Sequence, residues 1–114
     1  MKANELRIGN YTDKGMVKSF YEHGIHVGMG KCYLFRDLNP IPITEEVLLK
    51  CGFVNNEPKD WGSFTLGNIN FLKEDGNKMN GLYMNGYRVA DIRYLHQLQS
   101  LYFDITGKEL EVKP

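Results

Sequence analysis

Three histidines and two cysteines are the only imidazoles and thiols in these 114 residues, and their spacing argues against a shared task. His23 and His26 stand three apart in a stretch that reads as strand, which would point them to opposite faces. Cys32 falls in a strand-like run and Cys51 closes a short helix, each among apolar neighbours. Both therefore read as small buried residues, and as free thiols in a reducing compartment. No CxxC or HxxxH pair accompanies them, so no metal site is expected. GxSxG, GxxxxGK[ST], HExxH and the HxE with PCxxC pairing are also missing. Nothing in the sequence puts a cysteine, a histidine and a carboxylate in one place, and the chain is expected to be neither an enzyme nor a cofactor protein.

Binding is the other chemistry the residues could support. A phosphate-bearing ligand needs cations for its oxygens and aromatic planes for its base. Tyr87, Arg88, Arg93 and Tyr94 lie close together in the sequence, and Trp61, Lys31, Tyr33 and Arg36 could join them from strands. The plainer reading of each is structural: tyrosines pack in a core and arginines are solvated. A lone tryptophan such as Trp61 more often plugs the edge of a core than stacks on a ligand.

Among the elements that must position these residues, the best defined is a C-terminal helix over 91–106, in the stretch DIRYLHQLQSLYFDITG. Tyr94, Leu95, Leu98, Leu101, Tyr102 and Ile105 fall on one stripe at helical period, the mark of a helix that buries one face. Asp91 is placed to cap the first free amides, and Gly107 to end the helix in left-handed geometry. Ile92, His96, Gln99 and Phe103 form a second line on the opposite side. Either a strand or loop covers that line, or it is a contact with another subunit or a partner. Arg93 in the first turn and Asp104 in the last oppose the helix dipole, so both are expected to find partners elsewhere.

Upstream, residues 5–11, 16–21, 25–30 and 31–37 read as four short strands, with a turn at Thr12-Asp13-Lys14-Gly15. Gly28 and Gly30 leave one face of the third strand bare, which marks a bulge, a coiled strand or a close approach by a backbone or flat ligand. Four such strands suggest a small antiparallel, SH3-like curled sheet. A short helix over 44–51 follows, with Thr44 as N-cap, Glu45 and Glu46 in the first turn, and Gly52 and Phe53 closing it. Residues 54–62 read as a polar loop. Two strands across Gly67, a turn at 74–77 and a hairpin turned by Asn85-Gly86 lead into the long helix. The whole is an α+β chain, expected to be a single domain with a strand-rich half (1–53) and a half of hairpins plus helix (54–114).

With 42% hydrophobic and 25% charged residues the composition is that of a compact soluble domain, large enough to bury a core without disulfides or metal. Fourteen basic residues balance fourteen acidic ones, so no net field draws the chain to nucleic acid or a membrane. No apolar run approaches a bilayer span, and MKANELRIGN lacks a signal-peptide core; a cytoplasmic location is expected.

Three blocks, NELRIGNY, PIPITEEVLLKCGF and YLHQLQSLYFDITGKEL, resemble a group of small proteins carried by phages and mobile elements of gut bacteria, with 54–90 the least similar region. The group has no assigned chemistry, so the resemblance implies a setting, the cytoplasm of a bacterial host, and no site residues. Small phage-borne domains without catalytic motifs often act by binding. The leading expectation is a homo-oligomer that sequesters a nucleotide signal of host anti-phage defence. The alternative is an inhibitor or adaptor that grips a host protein through the Ile92, His96, Gln99, Phe103 line or a strand edge. A nucleic-acid-binding regulator comes third, disfavoured by the zero net charge.

Overall fold

A computed structural model of the chain describes residues 1–56, 63–74 and 78–113, with backbone alone at 73, 74, 78 and 79. The fold is α+β. Among the described residues, ten short strands and two α-helices succeed one another in the order β1 (Tyr11–Thr12), β2 (Gly15–Met16), β3 (Ser19–Tyr21), β4 (Gly24–His26), β5 (Cys32–Leu34), α1 (Glu45–Lys50), β6 (Val54–Asn55), β7 (Ser63–Leu66), β8 (Ile69–Glu74), β9 (Lys78–Met84), β10 (Tyr87–Asp91) and α2 (Leu95–Thr106). All strand pairing is antiparallel, in a β1-β2 ribbon, a β3-β4-β5 sheet and a β10-β9-β8-β7-β6 sheet. No helix among the described residues is long and apolar enough to cross a membrane.

The chain forms two compact units that do not follow chain order. One combines Met1–Pro42 with Tyr94–Glu109; the other combines Ile43–Arg93 with Leu110–Pro114. The first is built on Leu6, Val17, Ile25 and Leu38, with Val27, Tyr33 and Phe35 packed against them. Its opening stretch is not the strand expected over 5–11. Residues Ala3–Glu5 make a 3-10 turn, and Asn10 Oδ1 then accepts from the Arg7 amide at 2.8 Å, curling 7–10 into a turn in place of a ladder. The expected 16–21 strand is likewise broken between β2 and β3 at the buried Val17, whose amide donates to the Asn10 carbonyl. The four anticipated strands thus become a two-stranded ribbon and a separate three-stranded sheet. The turn at 12–15 is as anticipated, with Thr12 Oγ1 accepting from the Lys14 amide and donating to the Gly15 carbonyl.

Helix α2 closes this unit through side-chain chemistry. Gln99 is fully buried: its Oε1 accepts from the Tyr11 amide at 2.8 Å and its Nε2 donates to the Gly9 carbonyl at 3.0 Å. Arg7 Nη2 donates to the Gln99 carbonyl at 3.1 Å, its guanidinium pairs with Glu109 at 2.7 Å, and it lies 4.7 Å over the Phe103 ring. One amide side chain thus replaces two backbone partners, and one arginine covers the adjoining aromatic.

The helix begins later than anticipated. Asp91 belongs to β10, opposite Gly81, where its carboxylate accepts from Asn80 and Arg93. Cap position falls to Tyr94, whose amide donates to Gln97 Oε1. Arg93 therefore precedes the helix and answers Asp91 at 3.3 Å. Gly107 ends the helix at φ 73°, as expected. Burial does not follow the single leucine stripe: Leu95, His96, Leu98 and Gln99 are all buried, whereas Phe103 and Ile105 are 40% and 38% exposed.

Burial also sets a pH dependence. The His96 ring stacks on Tyr94, its Nδ1 has no partner among the described residues, and burial holds its pKa below the ordinary 6.5, opposed in part by the charge of Glu5. The unfolded chain therefore takes up the proton first. The contribution of neutral His96 to stability is whole above pH 6.5 and is lost as pH falls from there through the folded value. Urea midpoints should fall between pH 7.5 and 5.5, and His96→Gln should flatten that fall. A variant with the same pH slope as the parent would refute the assignment.

In the second unit, Thr44 Oγ1 accepts from the Val47 amide to start α1, Glu45 and Glu46 stand in its first turn, and Gly52 follows at φ 92°. The five-stranded sheet buries Phe64, Phe71 and Leu82 in cross-strand register, with Phe53 edge-on to Phe71 at 6.3 Å. Residues 54–55, anticipated as loop, pair with β7 as β6, and Asn56 extends the contact by donating to Ser63 and Thr65. The Asn85-Gly86 hairpin forms as expected, with both residues at positive φ. Part of the turn anticipated at 74–77 lies outside the described residues.

Candidate functional site

The outer face of the β3-β4-β5 sheet brings a histidine and a cysteine together. Pairing of Ser19 with His26 and of His26 with Cys32 puts all three on one face, with Tyr21, Gly24 and Leu34 beside them. Phe20, Ile25 and Tyr33 occupy the other face, where Ile25 is fully buried and Tyr33 packs against the core. The hairpin that brings His26 and Cys32 opposite one another turns through Gly28, Met29 and Gly30, all at positive φ, with Val27 donating to Lys31 across its base. The two glycines on the bare face of the expected third strand thus serve the turn, and the strand ends at His26.

Cys32 Sγ lies 3.0 Å from His26 Nδ1. The Tyr21 ring flanks that imidazole at 5.1 Å and also meets the His23 ring edge-on at 6.5 Å. Both histidines thus touch one tyrosine, because His23 sits in the β3–β4 turn and not within a strand. Cys32 is exposed and only Cys51 is buried. Burial pushes the Cys51 thiol up to about 11, which leaves it inert at neutral pH. Two sequence readings are corrected together: Cys32 is not a core residue, and a thiol and an imidazole do share a place. Residues equidistant from a hairpin tip face each other, so Gly28-Met29-Gly30, read as a turn, would have revealed the pair. Among the described residues no three His, Cys, Asp or Glu side chains converge as a metal set.

Beside this face, His23, Leu34, Phe35 and Arg36 line an open depression of about 270 Å³. The 3-10 turn Phe35–Asp37 carries Arg36 to its rim, and the Phe35 amide donates to the His23 carbonyl, tying that turn to the β3–β4 turn. Arg36 is exposed and makes no ion pair among the described residues. The depression therefore offers an apolar floor, an imidazole and a guanidinium.

The other anticipated ligand residues are distributed over both units. Lys31 is exposed at the hairpin base, and Tyr33 faces the core. Tyr94 stacks on His96 at 6.0 Å. In the second unit, Tyr87 and Arg88 are exposed on the edge strand β10, and Arg93 is engaged by Asp91. Trp61 lies outside the described residues. Of the second helical line, Ile92, His96 and Gln99 are buried and only Phe103 is exposed. Gln99 is bonded to the backbone of Gly9 and Tyr11 and His96 is buried beside it, which makes those positions of the line a lining and not a free face. The residues missed by sequence reasoning are Arg7 and Asn10, and Gln99, read there as part of a covered or partner-binding line, is their counterpart on the helix; the bonds of the three span 86 to 102 positions along the chain where they join helix to loop.

No family model matches the chain, and neither the curated proteins nor the solved structures include a match to it.

Proposed function

We propose that the protein is a small, non-catalytic binding protein whose ligand is a nucleotide, taken up at the depression bordered by His23, Leu34, Phe35 and Arg36. The juxtaposition of a guanidinium with an apolar floor and neighbouring rings carries this reading. Arg36 supplies a fork for phosphate oxygens, and Tyr21 and His23 supply planes against which a base can stack. At about 270 Å³ the depression is near the lower end of small-ligand sites, about 300 Å³, so it holds one end of such a ligand while the rest lies over the outer sheet face. In the phage setting that the sequence resembles, the role is to sequester a nucleotide signal of host defence, in the form of a homo-oligomer. Phe103 and Ile105, exposed on the last turns of α2, are apolar surface for such an assembly to bury.

Calorimetric titration with a panel of cyclic dinucleotides and ADP-ribose derivatives tests the reading. At least one should bind, and Arg36→Ala should weaken it about tenfold while leaving the fold intact. Flat titrations across the panel would sink it.

The edge strand β10 supports a second reading, capture of a host protein by strand addition, since Tyr87 and Val89 on it are 77% and 46% exposed. Enrichment of one stoichiometric host protein in a pull-down, together with flat nucleotide titrations, would select it.

A further inference from the structure

We infer that Cys32 is a thiol-modification site in which His26 serves as proton acceptor, and that it exchanges with low-molecular-weight disulfides to form a mixed disulfide. Three observations converge on it. Cys32 is an exposed residue, open to a small disulfide. Its nearest polar neighbour is an imidazole nitrogen at 3.0 Å, within reach of the thiol proton. The hairpin register holds the two residues directly opposite, and the Tyr21 ring packs against the imidazole at 5.1 Å. The Gly30 carbonyl, 3.9 Å from the sulfur, is a distant alternative acceptor for the same proton. The pair therefore differs from a merely exposed cysteine.

The Cys32 S–H proton passes to His26 Nδ1, leaving a thiolate beside an imidazolium. The thiolate sulfur attacks one sulfur of the incoming disulfide, forming a new S–S bond as the old one breaks. The departing thiolate takes the proton from His26 and leaves as a thiol. Cys32 sulfur is oxidised, the leaving sulfur is reduced, and no other oxidant is required. Cys51, 4% exposed, is an internal control that should not react while the chain is folded.

The test is incubation of the folded protein with glutathione disulfide at pH 7, followed by intact mass and peptide mapping. A single adduct on Cys32 is expected, formed about tenfold faster than on a thiol of the same chain in urea. Cys32→Ser should abolish it, and His26→Asn, verified as folded by circular dichroism, should slow it about tenfold. Reaction at the same rate in the parent and His26→Asn would overturn the proposal, as would an adduct on Cys51 in the folded chain or a native rate no faster than in urea. Nucleotide binding does not enter any of these measurements.

Discussion

Gly24→Ala is expected to be the most damaging small substitution in the N-terminal unit. Gly24 is buried in β4, opposite Leu34, and a methyl group on it would land on the Tyr33 carbonyl, with the Tyr33 carbonyl carbon at 2.8 Å and Leu34 Cα at 2.9 Å. Those are backbone atoms of the partner strand, so no rotamer change relieves the clash; the β4–β5 pairing itself must open. Overpacking of a tight site costs about 1 to 3 kcal/mol, occasionally more, and a backbone-against-backbone clash belongs at the upper end. At about 4 °C per kcal/mol for a chain of this size, the melting midpoint should drop by roughly 10 °C. Because the same pairing sets His26 against Cys32, the variant should also lose the enhanced reactivity of that thiol. An unchanged melting midpoint would show that the two strands do not approach so closely.

Gln99→Leu should cost about as much by a different route. Leucine fills nearly the same volume and keeps helix propensity, so packing and secondary structure are preserved. What vanishes is the acceptor for the Tyr11 amide and the donor to the Gly9 carbonyl. Each backbone group left without a partner away from water costs about 1 to 3 kcal/mol, which puts the pair at roughly 2 to 6 kcal/mol. The neighbouring Arg7–Glu109 ion pair is shorter at 2.7 Å but its side chains are 29% and 53% exposed, so it is worth no more than about 1 kcal/mol. The amide, not the ion pair, dominates the docking of α2. Urea denaturation of Gln99→Leu would settle the matter: a midpoint within error of the parent would mean that water replaces both partners.

Local chemistry made part of this fold legible in the sequence. Thr44 with two following glutamates places α1, Asn85-Gly86 places the last hairpin, and Gly107 places the end of α2, because in each case the residues that decide the geometry are neighbours. Where distant groups decide, sequence reading went astray. Asp91 has the chemistry of a helix cap, yet Asn80 and Arg93 claim its carboxylate and extend β10 through it. Asn10 carries no periodic signal, and Gln99 falls on a helical line whose cover the sequence does not name, because their partners on the facing element are 86 to 90 positions away. Of the candidate binding residues, Arg36 reaches the rim of a depression, whereas Tyr33 turns to the core, since strand parity alone could not say which face of 31–37 was inward. The thiol–imidazole pair escaped for a related reason: it depends on where one turn falls, and three consecutive residues at positive φ were read as part of a strand.

Because α2 is the last element of the unit that Met1–Pro42 begins, the ribosome delivers the two parts of that unit separated by some fifty intervening residues. Until Gln99 emerges, the Tyr11 amide and Gly9 carbonyl can be satisfied only by solvent, so the nascent N-terminal segment must wait, incompletely ordered, for the rest of the polypeptide. Maturation of that unit should therefore be limited by the synthesis of α2, with the intervening β-rich segment free to acquire its hairpins first.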